Sequence, residues 1–118
     1  MHSEDAPRKI DLVFFRNASG AEPVREWLKT LDEAARHAIG KDLLRAQWRW
    51  PVAMPLCRPI GKGLWEVRTG LLNNRTSRVL ICFYAGRLVA LHGFIKKTRA
   101  TPVADLALAR ERMKELER

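Results

Sequence analysis

The sequence predicts an α+β fold with a mostly antiparallel four-stranded sheet, and three observations carry that prediction. Segments of period-two and of helical hydrophobicity follow one another as strand, helix, helix, three strands, helix, not in strict alternation. The last two strands are joined by Ala85 and Gly86 alone, a tight connection that requires antiparallel pairing. With 118 residues, 47% apolar and 30% charged, the chain supports one hydrophobic core, so residues 1–118 are expected to form one domain.

Arg8 to Phe15 reads as the first strand because Ile10, Leu12 and Phe14 alternate onto one face. Asn17 to Gly20 is turn chemistry. A short helix starts near Glu22, where Pro23 fits a first turn that has no use for its missing N–H. Val24, Trp27, Leu28 and Leu31 share one side of it. Asp32 is placed to cap a second helix through about Trp50, with Ala35, Ile39, Leu43, Ala46 and Trp50 at helical period. Gly40 inside that helix costs about 1 kcal/mol relative to alanine, which suggests close packing against a neighbour. The two helices are expected to form a hairpin, with Trp48 and Trp50 packing at its end.

Pro51, Pro55 and Pro59 then predict an extended loop ending at Gly61, Lys62 and Gly63. Leu64 to Gly70 alternates, placing Trp65 and Val67 on one face and Glu66 and Arg68 on the other. Arg78 to Tyr84 is continuously apolar after its first residue, as for a central strand covered on both sides. Arg87 to Phe94 follows the hairpin. Thr101 and Pro102 read as a cap and a first-turn proline, opening a last helix with Val103, Leu106, Ala109, Met113 and Leu116 as its stripe.

Charge is regional. Residues 51–99 hold nine bases, Arg58, Lys62, Arg68, Arg75, Arg78, Arg87, Lys96, Lys97 and Arg99, against one acid, Glu66, so this segment supplies +8 of the formal +9. The same segment holds three of the predicted strands. A basic surface on a rigid sheet suits a polyanion, nucleic acid above all, whereas a merely solubilising face would not need such asymmetry. The longest apolar run, Val79 to Tyr84, is strand-sized, so no membrane association is expected. The acidic start of the chain is unlike a secretory signal, which makes the cytoplasm the expected compartment. Cys57 and Cys82 lie in unlike contexts, and reduced, inert thiols are favoured over a disulfide. No CxxC, HxxxH or His–acid cluster occurs, so no metal and no cofactor is expected.

The segments Leu64 to Arg68, Arg78 to Ile81 and Leu91 to Thr98 (Leu-His-Gly-Phe-Ile-Lys-Lys-Thr), with Thr101 and Pro102, stand in a recognisable order. They resemble the RelE/ParE superfamily of toxins from bacterial toxin–antitoxin pairs, most closely its phage-type HigB-like branch. The likeness runs over about residues 9–116. It implies a RelE-like fold and an endoribonuclease that enters the ribosomal acceptor site and cuts mRNA. It also implies a cognate antitoxin, of helix-turn-helix, HigA-like type, in a toxin–antitoxin hetero-oligomer. Two other classes fit the superfamily or the charge: a ParE-like inhibitor of DNA gyrase, and a nucleic-acid-binding module without chemistry.

RNA carries its own nucleophile, the 2′-hydroxyl. An enzyme without a metal must position the chain, stabilise the phosphorane-like transition state and manage two protons. Arginine suits the second task because its planar fork grips two phosphate oxygens and keeps its charge. The resemblance supports Arg68, Arg78, Lys96 and Lys97 as the catalytic cluster. Glu66 is either a base or the group that orients Arg68, with orientation the favoured reading. His92 is either a hydrogen-bonded core histidine, the favoured reading, or a catalytic acid. Arg58, Lys62, Arg75 and Arg99 are expected to grip RNA. Many superfamily members use a late tyrosine, but the only tyrosine here is Tyr84, and Ser77 precedes Arg78 where tyrosine is frequent. Proton transfer therefore falls to lysine, His92 or Glu66.

Overall fold

The computed structural model describes residues 8–51, 56–96 and 102–117. Eight elements follow in order: β1 (Leu12–Phe14), α1 (Pro23–Lys29), α2 (Glu33–Arg49), β2 (Cys57–Gly61), β3 (Leu64–Gly70), β4 (Thr76–Tyr84), β5 (Arg87–Lys96) and α3 (Val103–Leu116). The sheet is five-stranded, in the order β1-β5-β4-β3-β2. Only the β1–β5 pair is parallel; the other three pairs are antiparallel. The fold is thus α+β as expected, with one strand more. Cys57–Gly61, expected within an extended loop, is the edge strand β2. Pro59 is tolerated there because an edge strand leaves one side of its backbone unpaired.

Local chemistry explains the element ends. The Asp32 carboxylate accepts from Ala35 N at 2.7 Å, capping α2. Pro102 occupies the N-cap of α3 and the helix begins at Val103, one residue later than expected; Thr101 lies outside the described residues. Ala85 and Gly86 both have positive φ, 52° and 79°, the backbone of a type I′ turn, which matches the twist of the strands it joins. Gly40, expected at a close contact, has nothing within 4 Å of where a Cβ would stand. The close contact is instead at Gly93, where a Cβ would overlap the Trp27 ring. Trp50 packs edge-on to Trp65 at 4.9 Å, whereas Trp48, expected to pack, is 48% exposed.

The sheet is covered on both faces. On one, α1 and α2 bury Val24, Ile39, Leu43 and Ala46 against Cys57, Val67, Val79, Ile81, Leu88 and Ala90. On the other, α3 packs Leu106, Ala109 and Met113 against Phe15, Leu64, Leu80, Cys82, Val89 and Leu91. Cys57 and Cys82 therefore serve opposite faces, and both are buried. Burial pushes the Cys82 thiol up to about 11, helped by Glu117, so at neutral pH it is the protonated, unreactive form.

Candidate nucleic-acid interface

Strand register places the charged side chains. Across β2, β3 and β4, Arg58 stands opposite Glu66 and Glu66 opposite Leu80. One step along, Arg68 faces Arg78, and Arg78 faces Phe94 on β5. A further step brings Thr76 opposite Lys96. Because residues opposite one another share a face and side chains alternate along a strand, Arg58, Glu66, Arg68, Arg78, Phe94 and Lys96 belong to one face. It is the α3 face, since Leu80 and Phe94 pack in that core.

A bulge makes this convergence possible. Leu80 pairs with His92 but Ile81 pairs with Ala90, so Leu91 is an extra residue in β5. Strict alternation from Leu88 and Ala90, which face α1 and α2, would have put His92, Phe94 and Lys96 on that side as well. The bulge turns all three over to join the arginines. Gly93 then faces the helix pair, where its missing side chain admits Trp27.

The cluster is strongly cationic and in large part dry. Arg78 and Lys96 are each 4% exposed and Glu66 is fully buried, while Arg58 and Arg68 are partly buried. Arg78 Nη1 donates to Glu66 Oε1 at 2.5 Å. Glu66 thus holds Arg78, a partner on the next strand that the reading of Glu66 with Arg68 on a shared strand did not name. Arg78 Nε and Lys96 Nζ are buried and have no hydrogen-bond partner among the described residues. Lys96 is held below the usual lysine range, first by burial and then by repulsion from Arg78, with Arg58 and Arg68 adding to it and Glu66 opposing. This arrangement can hold an anion between the cations and can offer an amine that gives up its proton more easily than an ordinary lysine.

The other expected residues divide. Arg58, read as part of a loop, stands on β2 inside the cluster. Lys62, exposed in the β2–β3 turn with φ 53°, lies beyond Leu64 at the opposite end of β3 from Arg68. Arg75 Nε donates to Leu72 O and closes its own turn. Lys97 and Arg99 lie outside the described residues. His92 is partly buried; Nε2–H donates to Asp105 Oδ1 at 2.5 Å, while Nδ1 is 3.5 Å from Arg112 Nη1. Asp105, in the first turn of α3, is a partner that sequence reasoning missed, because a helical acid thirteen positions away carries no local sign of which strand it meets.

Two hollows lie elsewhere. One of about 690 Å³ is lined by Glu33, Arg36, His37, Gly40, Lys41 and Leu44 of α2. Another of about 320 Å³ lies between α2 and the β3–β4 turn. Neither is lined by any residue of the cluster.

Residues 26–114, from α1 through most of α3 and including every member of the cluster, match the family model described as "Phage derived protein Gp49-like (DUF891)". The chain belongs to that family. The Gp49-like proteins are a RelE/HigB-like toxin family of toxin–antitoxin systems. A comparison with curated proteins finds no match. Among the described residues of this Gp49-like chain, no helix is long and apolar enough to cross a membrane, and no group of three or more His, Cys, Asp or Glu could hold a metal ion.

Proposed function

We propose that this Gp49-like protein is the toxin of a type II pair, in the HigB-like branch, and acts in the cytoplasm as a ribosome-dependent mRNA endonuclease. The observation that carries the reading is the convergence of Arg58, Arg68, Arg78 and Lys96, from four different strands, around one carboxylate. Four cations against one acid leave a net positive charge that a bound phosphodiester would partly neutralise.

The residues divide the work as follows. Arg68 and Arg78 meet the non-bridging oxygens, whose charge grows in the transition state. Glu66 fixes the Arg78 fork. Lys96, with its lowered proton affinity, carries a proton. The 2′-oxygen attacks phosphorus as its proton passes to water, the bond from phosphorus to the 5′-oxygen breaks, and Lys96 gives its proton to that oxygen, to be reprotonated from water. The products are a 2′,3′-cyclic phosphate and a 5′-hydroxyl. Arg58 and Arg68 are only partly exposed and Arg78 and Lys96 are buried, which favours a substrate positioned by the ribosome over free RNA. A helix-turn-helix antitoxin would complete the hetero-oligomer.

The test is to map transcript 5′ ends within minutes of induction in cells, with plasmid supercoiling measured in parallel. New 5′-hydroxyl ends inside translated regions are expected, with supercoiling unchanged. Intact transcripts with altered supercoiling would overturn the nuclease reading in favour of gyrase inhibition. With purified protein, efficient cleavage of naked RNA would overturn ribosome dependence, and recovery of 3′-hydroxyl ends would contradict 2′-hydroxyl attack.

A further inference from the structure

Phe94 has no part in the roles just assigned, yet it occupies the position directly across from Arg78 and two residues before Lys96 on the same face. Residues directly opposite on neighbouring strands have Cβ atoms about 5 Å apart, so the ring stands within one nucleotide of any phosphate held by Arg78. A neighbour on its own strand orients it. The His92 imidazole stacks on it, with centroids 5.6 Å apart and planes 26° from parallel. That imidazole is itself held by Asp105 at 2.5 Å, with Arg112 near its other nitrogen. Both ring nitrogens of His92 are thus taken up within the protein, which suits a support better than a proton carrier. Phe94 is only partly buried, so the ring it presents beside the cations is not sealed into the core.

We propose that Phe94 is a stacking platform for a nucleobase adjoining the scissile phosphate, and that His92 and Asp105 are positioning residues that hold its ring. This rests on the endonuclease reading above. Stacking is tolerant of base identity, because every base has a π-face. A site built this way grips single-stranded RNA without needing a pocket that reads base edges. The strand bulge at Leu91, which brings Phe94 to this face together with Lys96, serves phosphate and base at once.

The test is a cycle on mRNA-programmed ribosomes, comparing intact mRNA with mRNA abasic at the nucleotide on either side of the cleaved bond. Phe94→Leu should lower kcat/KM on intact mRNA by roughly 5- to 100-fold, the range of one lost base–aromatic stack. It should cost nothing further on mRNA lacking the stacked base, and Asp105→Ala should show the same pattern more weakly. Equal losses on intact and both abasic messages would mean a structural role and overturn the proposal, as would no loss on any. Phe94→Trp provides a second route if the leucine variant fails to fold. Its larger ring should tighten binding of intact mRNA and leave one abasic message unaffected; equal effects on all three overturn the proposal. Failure of the unmodified protein to cleave at all is a distinct result, which overturns the endonuclease reading and this inference with it.

Discussion

Replacing Glu66 with alanine should destabilise the fold by roughly 3–5 kcal/mol, the usual cost of removing one partner from a buried ion pair. The structure supplies the reasons for expecting the full effect. The carboxylate is fully buried, Arg78 is 4% exposed, and their atoms meet at 2.5 Å. At that separation the gross attraction is about 7 kcal/mol with an effective dielectric constant near 20, and desolvation offsets much of it. Removing the carboxylate leaves Arg78 and Lys96 buried together with no countercharge between them. At roughly 4 °C of Tm per kcal/mol, the shift should be about 12–20 °C. Replacing both partners, Glu66→Leu with Arg78→Met, removes the stranded charge and should recover most of the loss. Urea unfolding followed by tryptophan fluorescence measures both, provided the slope with denaturant is unchanged. A loss below about 1 kcal/mol, the range of a surface pair, would refute the buried ion pair. So would a double variant no more stable than Glu66→Ala.

Three further outcomes follow from the same geometry. The proton affinity of Lys96 is lower folded than unfolded, so this group costs stability below its folded pKa, and the cost is relieved as pH rises towards the ordinary 10.5. Lys96→Met should therefore raise stability at pH 7, by about 1 kcal/mol in thermal melts, while cleavage falls; unchanged stability together with unchanged cleavage would contradict both of its assigned roles. Gly93→Ala should cost roughly 1–3 kcal/mol, because its Cβ would lie 2.5 Å from Trp27 Cε3, and a neutral result in urea unfolding would show that Trp27 moves aside freely. Arg58→Ala should weaken ribosome binding and flatten its salt dependence by about 0.7 log-log units, whereas Lys62→Ala, remote from the cluster, should change neither.

The order of elements was legible because periodicity switches sharply along this chain. The Asp32 cap, the Ala85–Gly86 turn and the buried run of β4 each announce themselves locally. Edge strand β2 was hidden by its own prolines, which signal a loop until tertiary pairing shows that one side of the strand never needed its N–H. The shared face of Glu66 and Arg68 was also legible, since alternation fixes faces. That Glu66 binds Arg78 was not, because a residue of the neighbouring strand competes with those on the same strand and only register brings it within reach. The bulge at Leu91 was invisible for the same reason: an extra residue is defined by its partner strand, and with it went the placement of Phe94 beside Arg78. Gly40 drew attention as a helix breaker, yet the glycine under steric demand is Gly93, whose neighbour Trp27 is 66 positions away in sequence.

The central claim is that this cluster is where RNA is cut, and Arg68 tests it with least ambiguity. Arg68 is partly exposed, so Arg68→Ala should fold as the parent does. The measurement is the single-turnover cleavage rate of programmed mRNA on ribosomes at saturating protein. The rate should fall roughly 10²–10³-fold, as for loss of one positioned donor to a developing charge, with ribosome binding retained. A folded, ribosome-bound Arg68→Ala that cuts at the parental rate would place the chemistry elsewhere.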